Sequence, residues 1–254
     1  MAYFVKQVQK VKLKNATLIV GLPGIGNVGK IAIDFIVDNI GAKRMFEIYS
    51  DHFPHAVFVN DKNMVELPMI TMYHKKKGNK DLLFLAGDIQ PIDERSCYEF
   101  CNKLLDVLEK HSCKEIVTMG GIGLQRIPEK PIVYCTSNNK DIIKRYAMTN
   151  VNSNIYGVVG PIIGVSGLLV GLAKHRNIPA IALLAETFGH PTYLGIKGAR
   201  AILMILNHKL GLGLELKQLD EEITKIEKEI KTKTKQLTML QTKKTAKSEL
   251  SYIG

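Results

Sequence analysis

A chain of 254 residues is long enough for one sizeable core, or for one domain with an appendage. Its 46% hydrophobic content and mean hydropathy of +0.02 exclude disordered and fibrous classes. The net charge of +11 points to partners that carry negative charge, and with no RNA-binding aromatic signature and no zinc-finger spacing those partners are expected to be proteins rather than nucleic acid.

The N-terminal residues carry Lys6, Lys10, Lys12 and Lys14 with no apolar signal segment after them, so a cytoplasmic location is expected. Apolar runs of strand length then recur between helical patterns. Strands are predicted at Thr17–Val20, Arg44–Tyr49, Ala56–Val59, Ile70–Tyr73, Asp81–Ala86, Glu115–Met119, Pro131–Tyr134, Tyr156–Val159 and Pro179–Leu184. Helices are predicted over Asn27–Asn39, Arg95–His111, Asn139–Tyr146, Ser166–Arg176 and Ile196–Leu210. Leu82-Leu83-Phe84-Leu85 and Ile181-Ala182-Leu183-Leu184 are continuous rather than alternating, the pattern of parallel strands covered on both faces. Asn60 to Gly78 reads instead as hairpin strands with a charged tip at Lys75-Lys76-Lys77-Gly78. The expected fold is an α/β sandwich: a mixed, largely parallel sheet flanked by helices.

The four cysteines, at 97, 101, 113 and 135, form no secreted framework. Cys97 and Cys101 lie one helical turn apart without further metal ligands at suitable spacing, so buried free thiols are expected, and no metal. Ile155 to Ala173 holds no charged residue and approaches the length of a membrane span. Pro161 and five interior glycines from Gly157 to Gly171 would break such a helix, which favours a buried strand, a glycine turn and a core helix from Ser166, with Ser166 as its N-cap. No membrane partner is expected.

The globular domain is predicted to end at residue 213. From Leu214 to Lys247 the chain is rich in Lys, Glu, Thr and Leu and lacks Gly and Pro. Leu216, Leu219, Ile223, Ile226, Ile230, Leu237 and Leu240 form a heptad seam interrupted at Lys233, so a C-terminal coiled-coil helix that mediates self-association is expected. Residues 248–254 read as a flexible tail.

Three motifs invite chemistry. Gly21-Leu22-Pro23-Gly24-Ile25-Gly26-Asn27-Val28-Gly29-Lys30 joins a strand to a helix, and Gly24, Gly26 and Gly29 satisfy the G-x-G-x-x-G dinucleotide fingerprint. The same residues nearly satisfy the P-loop, but Ile31 stands where Ser or Thr would hold magnesium. A loop that fits two unrelated signatures is weak evidence for either, and the glycines Gly21, Gly24, Gly26 and Gly29 equally suit close packing of helix on sheet, with no cofactor. Asp51-His52-Phe53-Pro54-His55 offers two imidazoles and a carboxylate, read as a polar surface or interface loop. Asp88, Glu186 and His190 follow buried strands and are the best candidates for acid–base work, although no spacing ties them to a nucleophile. A nucleotide- or nucleoside-binding enzyme using Gly24–Lys30 therefore stands as the alternative to a binding protein.

Taken together, the ordered segments Gly21–Gly29, Gly87-Asp88-Ile89-Gln90-Pro91 after the Asp81 strand, Gly120-Gly121-Ile122-Gly123, Gly160 to Leu169 and Leu184-Ala185-Glu186-Thr187 resemble the proteasome assembly chaperone family in its archaeal single-chain form. The resemblance spans residues of about 16 to 210. It implies a fold similar to nucleoside phosphorylases without a known catalytic site. It also implies a non-enzymatic homo-oligomer that docks on the α-subunits of the 20S proteasome core without ATP. In that family a C-terminal hydrophobic–Tyr–any-residue tail enters pockets between α-subunits. Here Leu250, Tyr252, Ile253 and Gly254 take that place, with Tyr252 third from the end rather than penultimate.

Overall fold

The computed structural model describes residues 3–224 except Ile92, Val158 and Glu222. The chain divides into two units at Leu214, and the first holds all the strands among the described residues. In chain order its elements are β1 (Tyr3–Gln7), β2 (Ala16–Gly21), α1 (Val28–Ile40), β3 (Lys43–Ser50), β4 (Phe58–Val59), β5 (Val65–Glu66), β6 (Ile70–Lys77), β7 (Lys80–Gly87) and α2 (Glu94–Lys110). They continue with β8 (Cys113–Leu124), β9 (Val133–Ser137), α3 (Lys140–Tyr146), β10 (Val151–Asn152), α4 (Val165–Ala173), β11 (Ala180–Phe188) and α5 (Ile196–Leu210).

Nine strands form one sheet in the order β1-β3-β6-β7-β2-β8-β11-β9-β10, while β4 and β5 pair separately. The continuous apolar strands sit at its centre. β2 is parallel to both β7 and β8, and β8 is parallel to β11. Successive side chains of a strand point to opposite faces, so such a run is buried only if both faces are covered. Both are. Leu18, Val20, Leu83, Leu85 and Ile116 share a core with the apolar sides of α2 and α4. The intervening Ile19, Phe84 and Val117 are equally buried on the side of α1 and α5, which pack on each other.

Four expectations need correction. The sheet is mixed in equal parts rather than largely parallel: the β1–β3, β3–β6, β6–β7 and β11–β9 ladders are antiparallel, balancing four parallel ones. A tight turn at Gly78-Asn79 leaves no room for the crossover that a parallel β6–β7 pair would need. The strand predicted at Tyr156–Val159 is absent from the described part of that segment. Tyr156 and Gly157 form a turn, with Gly157 at φ 79 and Tyr156 97% exposed. Only Phe58–Val59 of Ala56–Val59 pairs, in the small hairpin with β5. Ser166 is not the N-cap of α4. Gly164 is, and Ser166 lies inside the helix, where its hydroxyl donates to the Met119 carbonyl at 3.1 Å. β1 and β10 were not predicted.

The four cysteines are buried and free. No helix among the described residues is long and apolar enough to cross a membrane. In the second unit, residues 217–221, 223 and 224 are helical, which places Leu219 and Ile223 of the seam on a helix and Leu216 just before it. Ile226, Ile230, Leu237 and Leu240 of that seam, and Leu250, Tyr252, Ile253 and Gly254 of the tail, lie outside the described residues.

Candidate functional site

The five sequence segments that carry the family resemblance meet at one place, the end of the sheet where β2, β7, β8 and β11 finish. The loop after β2 passes over that end. Gly26, at φ 61, and Asn27, at φ 51, turn it into α1. Glycines there let the chain approach neighbouring groups more closely than a side chain would allow. A methyl group on Gly29 would stand 2.6 Å from the Met119 carbonyl oxygen, and one on Gly121 would stand 2.2 Å from that of Ile25. One on Gly26 would meet the Thr187 hydroxyl at 2.6 Å.

Polar contacts lock the same junction. The Gly195 N–H donates to the Gly26 carbonyl at 2.7 Å, so the loop before α5 closes on the loop before α1. The Gln90 carboxamide donates to the Pro23 carbonyl at 2.8 Å, and its oxygen abuts Gly164. A phosphate cradle needs free N–H donors around an open space. Here the space is filled by Thr187, Gly121 and Gly195, and the glycines serve backbone-to-backbone contact.

Lys30 is also engaged. Its ammonium lies 2.7 Å from Asp34 and 2.6 Å from Asp88. Burial works against the Lys30 charge, but the bonds to Asp34 and Asp88 outweigh it and hold the group above the ordinary lysine value. Asp34 is shifted upward because its burial outweighs the pull of Lys30. A lysine held between two carboxylates is not poised to grip a phosphate.

The three acid–base candidates take separate structural tasks. Asp88 pairs with Lys30. Glu186 accepts from the Ile132 N–H at 3.0 Å and so braces the chain entering β9. His190 stacks on Phe188 and bonds the Thr192 hydroxyl. His52 of the Asp51–His55 loop faces Glu99 at 3.6 Å. Among the described residues, no group of three or more His, Cys, Asp or Glu is placed to hold a metal ion.

Sequence reasoning passed over two features of this end. The first is Thr187, only 1% exposed, whose hydroxyl has no hydrogen-bond partner among the described residues. An unpaired buried hydroxyl costs stability, and a methyl of the same shape does not. Thr187→Val is therefore expected to raise stability by about 1 kcal/mol, read as a higher thermal midpoint; a clear drop would mean that the hydroxyl bonds to something in solution.

The second feature is the outer surface. Ile25, Ile163 and Leu194 each adjoin a residue of the junction and are 52%, 88% and 46% exposed. Ile163 also lines a cleft of ≈ 550 Å³ whose walls are largely apolar, among them Pro91, Cys97, Ile162, Leu168 and Leu172. A further apolar surface lies on the β4–β5 hairpin, where Val59, Met64, Val65 and Leu67 are each more than 60% exposed. Apolar surface of this kind marks contact with another macromolecule more often than with a small polar substrate.

A profile of the PAC2 family matches residues 18–233, which takes in every segment of the junction. The chain belongs to the PAC2 family. Among solved structures this PAC2 protein is similar to PbaB of Pyrococcus furiosus, an archaeal proteasome activator, at 30% identity and a TM-score of 0.85, covering 91% of this chain and 98% of that one. It shares its fold with PbaA of the same organism, an archaeal homolog of proteasome-assembly chaperone, at 22% identity and a TM-score of 0.75, covering 98% and 99%. An uncharacterized protein of Methanocaldococcus jannaschii is 27% identical over an alignment of 263 positions that covers 100% of each chain.

Proposed function

We propose that this PAC2 protein is an ATP-independent proteasome chaperone or activator that binds the α-ring of the 20S core particle as a homo-oligomer and transforms no small substrate. The observation that carries the reading is the likeness to an archaeal proteasome activator along nearly the whole of both chains. The geometry agrees with it. The loop that would hold a nucleotide is filled by the protein's own atoms, the acid–base candidates are spent on bracing contacts, and the same end exposes the apolar side chains Ile25, Ile163 and Leu194. The apolar β4–β5 hairpin, set apart from the main sheet, suits contact between subunits. The seam from Leu216 to Leu240 would add a helical contact between copies.

In this reading the tail supplies several weak contacts at once, one from each copy, so avidity multiplies them. Tyr252 and Ile253 would bury apolar area in pockets of the ring while the Gly254 carboxylate pairs with a cation there. The test is capture of purified 20S particles by the full chain and by a chain lacking Leu250 to Gly254. Truncation is expected to weaken capture about tenfold or more without changing the unfolding curve. Equal capture by both chains removes the tail mechanism; capture by neither removes the proposed function.

A further inference from the structure

The end of the sheet opposite the glycine junction has a different character. β1 runs down to it, and the connection from Val8 to Asn15 crosses it to reach β2. β3 starts there beside the end of β6, with Lys43 opposite His74, and the β6–β7 hairpin closes there with Lys77 opposite Lys80. These three segments, residues 8–15, 41–44 and 74–81, hold nine Lys or Arg and one acid. That acid, Asp81, is 2% exposed and already pairs with His74 at 2.7 Å and the Lys14 N–H at 2.6 Å. It offers little to offset the cations. Among the described residues only Arg44 of the nine has an ion-pair partner, Glu47 at 3.8 Å.

Cations often gather where helices end, to offset the helix dipole. Lys75 and Lys77 fit that account, because the Lys75 ammonium lies near Gly41, the C-cap of α1, and the Lys77 ammonium lies near Gly213, two residues past the C-cap of α5. Lys43 and Arg44 also follow α1 closely. The account does not extend to Lys10, Lys12, Lys14, Lys76 and Lys80. The connection carrying Lys10, Lys12 and Lys14 follows a strand, not a helix, and Lys76 and Lys80 stand on the hairpin. Of the nine cations, all except Lys75 are exposed. Leaving so many like charges together costs self-repulsion in the free protein, which an opposing surface would relieve.

We propose that this basic end is a second docking surface and that its partner is an acidic face of a protein; on the proposed function above, that face belongs to the core particle. The chemistry of the patch favours protein over nucleic acid. The three segments contain no Phe, Tyr or Trp on which a base could stack, and eight of the nine cations are lysines, which lack the planar fork that reads phosphate and guanine edges. Exposed lysines facing exposed carboxylates speed encounter and fix orientation, and salt screens them. The apolar end, the tail and the basic end would thus divide the work: the first two hold, the third steers.

The experiment uses the full chain and purified 20S particles at about 50 mM and about 300 mM salt. Lys75→Glu/Lys76→Glu/Lys77→Glu is expected to weaken capture about tenfold at the lower salt and much less at the higher. Lys10→Glu/Lys12→Glu, on a different segment, keeps the test alive if the hairpin variant fails to fold, and should weaken capture about threefold. Particle capture that matches wild type in both variants at low salt overturns the basic-end assignment while leaving the proposed function standing. A wild-type chain that captures no particles at either salt overturns the proposed function and this assignment with it. A duplex DNA of about 20 base pairs that displaces the particles and binds tighter than they do would make the patch a nucleic-acid surface and overturn the choice of partner.

Discussion

Replacing Gly29 or Gly21 by alanine is expected to cost about 3 kcal/mol of stability each, whereas Gly24→Ala should change it by less than about 0.5 kcal/mol. The three residues lie along one strand–loop–helix segment, at the end of β2, in the loop and in the first turn of α1, yet their surroundings differ. A methyl group on Gly21 would stand 2.2 Å from the Gly29 carbonyl oxygen and 2.6 Å from the Ile33 Cβ. On Gly29 it would press on the Met119 carbonyl, which belongs to the central strand β8 and cannot withdraw without breaking the ladders to β2 and β11. Gly24 meets nothing within 4 Å, and its φ of −170 is extended backbone that alanine adopts. Urea unfolding of the three variants reads the difference directly. A nucleotide loop predicts another order: Gly24 would matter for ligand and Gly21 would be indifferent. Should Gly24→Ala abolish folding, or Gly29→Ala leave it untouched, the packing account of this loop is wrong.

Those contacts also explain what the sequence could and could not tell. The glycine spacing was plain, but glycine answers two needs, room for a phosphate and room for another backbone. What separates the two is the identity of the facing atom. For Gly26 and Gly29 it lies on Thr187 and Met119, and no local pattern around Gly21 to Lys30 names those partners. The convergence of five distant segments on one end was likewise hidden, because their spacing along the chain carries no trace of the β7-β2-β8-β11 order that brings them together.

The fold itself was more legible where burial was complete. Leu82 to Leu85 and Ile181 to Leu184 are covered on both faces, and a continuous apolar run records that condition. β1 escaped because its five residues include exposed Phe4, Lys6 and Gln7, and its pairing depends on β3, forty residues away. The false strand at Tyr156 has the converse cause. Tyr156 is apolar in a loop and nearly fully exposed, and a rule that equates apolar runs with core misreads a residue facing outward. Pro131 was included in a strand that starts only at Val133, in keeping with a residue that has no N–H to give to a ladder.

Asp81→Ala should destabilise the protein by about 3 kcal/mol at neutral pH, and Asp81→Asn by about 1–2 kcal/mol. Asp81 sits where β7 begins, and both of its oxygens are used: one faces the His74 ring across the hairpin, the other accepts the Lys14 N–H just before β2. Removing the carboxylate strands a buried ring nitrogen and a backbone donor together. Asparagine can still accept from Lys14, so it should recover part of the loss. The pH dependence follows from the same contacts. Burial alone would raise the Asp81 carboxyl, but the His74 ring and the Lys14 N–H outweigh it and hold the group below the ordinary aspartate value. A folded value below the unfolded one means that the stabilisation is complete above about pH 4 and drains away as the pH falls through the depressed value. Wild type should therefore lose more stability than Asp81→Ala between about pH 5 and pH 2, and the two unfolding curves should converge at the acid end. Parallel curves over that range would show that the carboxylate does not hold the hairpin. Because this carboxylate ties the base of the β6–β7 hairpin to the strand beside it, it also keeps the neighbouring lysines in a fixed array. An acid residue buried for this purpose leaves the surface above it positive, and so the sheet end is shaped and charged by the same contact.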